Sequence, residues 1–117
     1  MTKIPVPGVP VRGSRSGSAI MALFDLLGRR WAMGVLWQLS ELGPSTFREL
    51  EAACETISPA VLNTRLKDLR LAGLVEKADN GYVVTPIGAE IYNALLPLSS
   101  SSKKWARLMK KAQTAEP

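Results

Sequence analysis

Apolar residues recur along this chain in two rhythms, and the change of rhythm marks its parts. Ile20, Leu23, Phe24 and Leu27 fall at i, i+3, i+4 and i+7, the spacing of one helical face. Ser18 can cap such a helix and Gly28 can end it, which predicts a helix over Ala19–Leu27. Met21, Ala22 and Leu26 widen its apolar face beyond what one core contact needs, and a helix of that kind often packs on a partner subunit. Trp31, Val35 and Leu39 form the next stripe, broadened by Leu36 and Leu42 and stopped by Gly43-Pro44. Phe47, Leu50 and Cys54 repeat the helical spacing, and so do Leu62, Leu66 and Leu69. The rhythm then shortens. Residues 74–78 and 82–84 read as strands around Asp79-Asn80-Gly81, and Asn-Gly in that setting is the strongest short-range hairpin signal. Thr85-Pro86 restarts a helix through Ile87, Ile91, Leu95 and Leu98, which Pro97 should kink or end. Residues 99–102, all serine, read as a weak polar link. A last helix over 103–112 gathers Trp105, Leu108, Met109 and Ala112 on one side.

The stretch from 46 to 73 organises the rest. Thr46 and Glu49 make a Thr-x-x-Glu capping box, in which the hydroxyl accepts from the N3 amide while the carboxylate reaches back. Ser58-Pro59 supplies the second helix with a cap and a proline at N1. With about 100° per residue, the buried stripe of Leu62, Leu66 and Leu69 leaves Ala60, Thr64, Lys67 and Leu71 on the far side, flanked by Asn63. The outward N-terminal half therefore offers Ser58, Ala60, Asn63, Thr64 and Lys67, with no acid among them. Asn and Lys can read adenine and guanine edges, and Ala or Thr can touch a thymine methyl. An ordinary solvated face would usually carry more Glu. The pair reads as a helix-turn-helix inside a winged-helix domain. Arg65, on the flank, can reach a phosphate or pair with Asp68 or a Glu of the preceding helix. Arg29 and Arg30 read equally as phosphate contacts at a helix start or as solvated charges at a junction. Cys54 is most simply a small buried residue, not a reactive thiol.

Charge changes this picture. The 117 residues carry a formal charge of +5, which points to an acidic partner. Yet Lys3, Arg12 and Arg15 at one end, with Lys103, Lys104, Arg107, Lys110 and Lys111 at the other, hold 8 of the 15 bases. Residues 18–102 have 7 bases against 9 acids, so a nucleic-acid reading must rest on local pattern and not on net charge. Residues 1–17, rich in Pro, Gly and Ser, read as a flexible basic arm that buries little apolar area. Such an arm can lie along DNA, though for a chain end a tail with incidental charge is the favoured alternative. The basic helix at the other end reads as subunit packing, ahead of a membrane surface or a calmodulin-like partner.

Composition removes several chemistries. One domain is expected at this length. No apolar run is long enough to span a bilayer, and the first residues do not make a signal peptide. Without histidine there is no Ser-His or Cys-His pair, and with a single cysteine a zinc site is not expected. No catalytic residue, metal ligand or cofactor site is assigned, and the chain is read as a non-enzyme of the cytoplasm.

The stretches LLGRRW (26–31), Leu-x-x-Leu-Gly-Pro (39–44), TFRELEAA (46–53), ISPAVLNTRLKDLRLAGLVEK (57–77) and YVVTPIG (82–88) resemble HxlR-type winged-helix transcription regulators of bacteria and archaea. The resemblance covers roughly 18–109. It implies a homodimer joined through the N- and C-terminal helices on a two-fold DNA site, with the helix from Ser58 in the major groove and the hairpin against backbone or minor groove. The chain departs from that pattern twice. Where many relatives carry a cysteine before the first helix, it reads Ser16-Gly17-Ser18, with no thiol for sensing. Where relatives have a longer wing, Asp79-Asn80-Gly81 closes the hairpin at once, so weaker wing contact is expected.

The expectation is a mainly α (α+β) fold: a winged helix-turn-helix with a short two-stranded wing and extra N- and C-terminal dimerisation helices. Residues 1–17 would be the arm, 18–113 the domain and 114–117 a tail. Double-stranded DNA would be read by Ser58, Ala60, Asn63, Thr64 and Lys67, and positioned by Thr46, Arg48, Arg29, Arg30, Arg65 and Lys77. The dimer interface would use Ile20, Leu23, Phe24, Leu95, Trp105, Leu108 and Met109. A small-molecule effector could sit near Met21, Phe24, Trp37 and Trp105. The alternative is a winged-helix module that binds protein and not specific DNA, favoured by the slightly acidic middle and the short wing.

Overall fold

The computed structural model describes residues 4–115. Among these residues six helices and one hairpin follow in order: α1 (Ala19–Leu27), α2 (Ala32–Leu42), α3 (Phe47–Ala53), α4 (Pro59–Leu71), β1 (Val75–Ala78), β2 (Gly81–Val84), α5 (Pro86–Leu95) and α6 (Pro97–Ala115). The helix starts follow local chemistry. Ser18 Oγ accepts from the Met21 amide at 3.4 Å, Ser58 Oγ from Val61 at 3.2 Å, and Thr85 Oγ1 from Gly88 at 3.1 Å. Each bond satisfies one of the amides that a helix start leaves without a partner.

At α3 the capping box is complete. Thr46 Oγ1 accepts from the Glu49 amide at 3.1 Å, and Glu49 Oε1 accepts from the Thr46 amide at 2.8 Å. Thr46→Ala removes one of these bonds and is expected to cost about 1 kcal/mol, read as a lower urea midpoint. An unchanged midpoint would show that solvent replaces the cap without loss.

The core sits where α2 crosses α3 and α4. Leu36 and Leu39 of α2, Leu50 of α3, and Leu62, Leu66 and Leu69 of α4 are fully or almost fully buried. The hairpin closes one end. β1 and β2 pair antiparallel with Val75 opposite Val84 and Ala78 opposite Gly81. Ser45 adds a single bridge to Tyr82, donating its amide at 3.1 Å and accepting from the Tyr82 amide at 2.8 Å. This ties the start of α3 to the wing.

Several expectations need correcting. Residues 99–102 are not a link, because α6 runs through them from Pro97. Pro97 lacks an amide hydrogen, a loss that matters least in the first turn of a helix. The serines then continue the helix, with Ser102 Oγ donating to the Ser99 carbonyl at 2.7 Å. Leu42 does not broaden the buried stripe of α2; it is half exposed at the last helical position, beside Gly43. Trp31 is not inside α2 but is its N-cap, at φ 74°. In α1 the apolar circumference divides: Ala22, Leu26 and Leu27 are buried, while Ile20 and Phe24 face outward. The segment ahead of α1 also buries more than its composition predicts. Ile4 packs on the core, and Gly17 is buried, where a Cβ would lie 2.0 Å from the Val9 carbonyl oxygen.

Candidate nucleic-acid interface

α3 and α4 are joined by a short turn in which Glu55 takes φ 59°, a left-handed conformation that reverses the chain between Cys54 and Ser58. Cys54, which ends α3, is buried, and its burial pushes the thiol above its ordinary pKa. It is a packing residue.

The turn leaves α4 with one arc against the core and one toward solvent. Ser58, Ala60, Asn63, Thr64 and Lys67 are all exposed. At about 100° per residue, Ala60, Thr64 and Lys67 share one side of α4 with Asn63 on their flank, and Ser58 precedes them at the N-cap. Thr64 Oγ1 donates back to the Ala60 carbonyl at 3.0 Å. With its proton committed there, Thr64 presents its methyl and its acceptor lone pairs outward. Ser58 Oγ accepts from Val61, which leaves its own proton free to donate.

The positioning candidates are spread around this arc. Thr46 and Arg48 lie at the start of α3, where Arg48 is exposed. Lys77 is exposed on β1, two residues before the tight turn of the wing. Arg30 is exposed at the junction between α1 and α2. Arg29 and Arg65 are engaged within the fold. Asp68 is completely buried, and its Oδ2 receives Arg65 Nη1 at 2.8 Å and Arg29 Nη1 at 3.1 Å. Arg65 Nε donates to the Arg30 carbonyl at 2.6 Å. Of the open outcomes for Arg65, the structure therefore shows the pairing with Asp68. It adds a partner, Arg29, that the spacing of Arg65 and Asp68 gave no means to find. The side chains of Arg29 and Arg65 retain 28% and 19% exposure, so both still border the surface beside α4.

The other candidates lie away from α4. Ile20 and Phe24 on α1, and Trp105, Leu108 and Met109 on α6, are exposed, while Leu23 and Leu95 are half-buried. Every residue of α6 from 100 to 114 is exposed. Trp37 packs edge-on against Tyr92, with ring centres 5.2 Å apart. It also lines an open groove of about 320 Å³ with Met33, Gly34, Leu95, Leu98 and Ser102. Met21, Phe24 and Trp105 from the effector expectation lie on α1 and α6. No helix among the described residues is long and apolar enough to cross a membrane.

Two helices joined by a tight turn, the second with a free polar arc, followed by a hairpin, define a winged helix-turn-helix of the kind found in transcription regulators. Residues 26–110 match the family described as HxlR-like helix-turn-helix. YvaP of Bacillus subtilis, an HTH-type transcriptional regulator, is 36% identical over 87 residues, covering 70% of this chain and 78% of that protein. A HxlR family transcriptional factor from Thermoplasma volcanium superposes with a TM-score of 0.66 at 28% identity, over 73% of this chain and 82% of that one. The quinone-bound form of YodB from Bacillus subtilis does so at 0.62 and 30%, over 76% and 96%. The chain belongs to the HxlR-like helix-turn-helix family of transcriptional regulators, and DNA binding follows from that membership.

Proposed function

We propose that the chain is a sequence-specific DNA-binding regulator acting as a homodimer, with α4 in the major groove. The observation that carries this is the outward arc of α4: five exposed, short or hydrogen-bonding residues from Ser58 to Lys67, with no acid between them. A surface of that relief can approach base edges closely. Arg48, Arg30 and Lys77 would meet phosphates around it, and Thr46 would contribute near the start of α3. Arg29 and Arg65 would act from the rim of the same surface while anchored on Asp68. Ile20, Phe24, Trp105, Leu108 and Met109, with Leu23 and Leu95 beside them, would be covered by the second copy. This reading places the protein in the cytoplasm.

Selection from a randomised duplex pool tests the proposal. Enrichment of a two-fold motif is expected, and affinities that stay in the non-specific range for every duplex would refute it. Asn63→Ala should lower discrimination at one base pair by about 1–3 kcal/mol, measured as the ratio of affinities for matched and mismatched sites. Arg48→Gln should instead weaken all duplexes alike and flatten the salt dependence by about one unit of slope.

One observation favours a second reading, a winged-helix module that binds protein. The wing carries Glu76 and Asp79 against Lys77, an unfavourable balance beside phosphates. Mobility-shift measurements on genomic fragments at low and moderate salt separate the two, since absence of any shift would support the protein-binding module.

A further inference from the structure

The junction between α1 and α2 forms an open bowl of about 540 Å³ beside α4, lined by Arg12, Asp25, Gly28, Arg29, Arg30 and Arg65. Three separate parts of the chain supply its cations: the N-terminal segment, the α1–α2 junction and α4. Asp25 answers Arg12, accepting its backbone amide at 3.1 Å with the guanidinium 3.9 Å away. Beneath the rim, Asp68 answers Arg29 and Arg65 through a single oxygen. Four guanidinium groups against two carboxylates leave a formal excess of two positive charges around one concavity. Gathering like charges in this way costs energy unless an anion offsets it, and planar guanidinium donors match phosphate oxygens in geometry.

We propose that this bowl is a phosphate-binding site, taking a group that carries about two negative charges. The rim divides the labour. Arg29 and Arg65 are held in place by Asp68 and by the Arg30 carbonyl, so they are preorganised donors. Arg12, whose side chain is 89% exposed, and Arg30 are the adjustable ones that close on the anion. The site does not depend on sequence-specific reading by α4, because a free phosphate monoester and two successive phosphodiesters of a DNA backbone both bring about two negative charges on phosphate oxygens. Arg65 brings the bowl to the side of α4, where both sources are accessible.

The test uses the full chain. Calorimetric titration with inorganic phosphate and pyrophosphate at low ionic strength is run on the unmodified protein, on Arg12→Gln/Arg30→Gln and on Arg70→Gln, an exposed cation outside the bowl. Saturable binding at one site per chain is expected, tighter for pyrophosphate, weakened at least about tenfold in the double variant and unchanged in Arg70→Gln. Arg12 and Arg30 are surface residues, and a matching unfolding midpoint will show that the double variant is folded. The same variants are then titrated with duplex DNA over a range of salt. A slope reduced by one or two units in the double variant assigns the site to the DNA backbone, and an unchanged slope assigns it to a free phosphorylated ligand. Anion binding that survives the double substitution, or that Arg70→Gln weakens equally, overturns the proposal. So does the lack of saturable binding by the unmodified chain. Either result would leave the reading of DNA by α4 untouched, since that reading stands on motif enrichment.

Discussion

Replacing Asp68 with alanine is expected to lower stability by about 3 kcal/mol, and to do so more than removal of any single surface charge. The carboxylate is wholly buried and bound to two guanidinium groups that are themselves mostly covered. Taking it away leaves Arg29 and Arg65 without the carboxylate that offsets their charge. Their residual exposure lets water relieve part of that penalty, which puts the expected loss at the lower end of the range for a broken buried pair. Urea unfolding measures it, and a loss under about 1 kcal/mol would mean that the triad behaves as a surface ion pair. Asp68→Leu with Arg29→Met should recover part of the loss, because a buried ionic cluster exchanged for packed apolar groups is often neutral.

The second large effect is expected at Gly88. A Cβ built there would lie 2.1 Å from the Leu74 carbonyl oxygen and 2.7 Å from Val84 Cγ1. Neither can easily yield. The Leu74 carbonyl accepts the Thr85 amide at 3.0 Å, and Thr85 Oγ1 donates to the Gly73 carbonyl at 2.6 Å, so the first turn of α5 is docked on the chain just before β1. Gly88→Ala must push α5 away from this seat. The expected cost is about 3 kcal/mol, the upper part of the range for overpacking, seen as an early thermal transition. A midpoint within about 2 °C of the original, worth well under 1 kcal/mol, would show that α5 re-docks without strain.

How far the sequence carried these features depends on the range of the forces behind them. Helix starts were legible because their chemistry is local: Ser18, Thr46 with Glu49, and Ser58 with Pro59 each meet an amide within three residues. The wing turn was legible for the same reason. The outward arc of α4 followed from the 3.6-residue period, since the leucines that fix one side also fix the other. Periodicity says nothing about contacts far apart in the chain. The bond from Arg65 to the Arg30 carbonyl joins residues 35 positions apart, and the seat of Arg29 on Asp68 is of the same kind. A lone Asp in a helix ordinarily reads as solvated, and only the tertiary fold reveals that it is enclosed. The serine run at 99–102 misled for the opposite reason. Its weak local preference is outweighed by a helix whose start is set at Pro97 and whose length extends to Ala115. Gly88 read as a neutral member of a motif, because the obstacle it avoids is the backbone of Leu74 across the wing.

The uncovered length of α6 has a consequence for how such a protein would respond to its own supply. Nineteen residues make a rod about 28 Å long at 1.5 Å per residue, and residues 100–114 of it are all exposed. If a second copy provides the shelter, the melting temperature will climb with protein concentration, because association draws the equilibrium toward the folded form. Occupancy of a two-fold site would then rise more steeply than in proportion to abundance. Dilution alone, as when a cell grows faster than it replaces the protein, would act as a signal without any ligand.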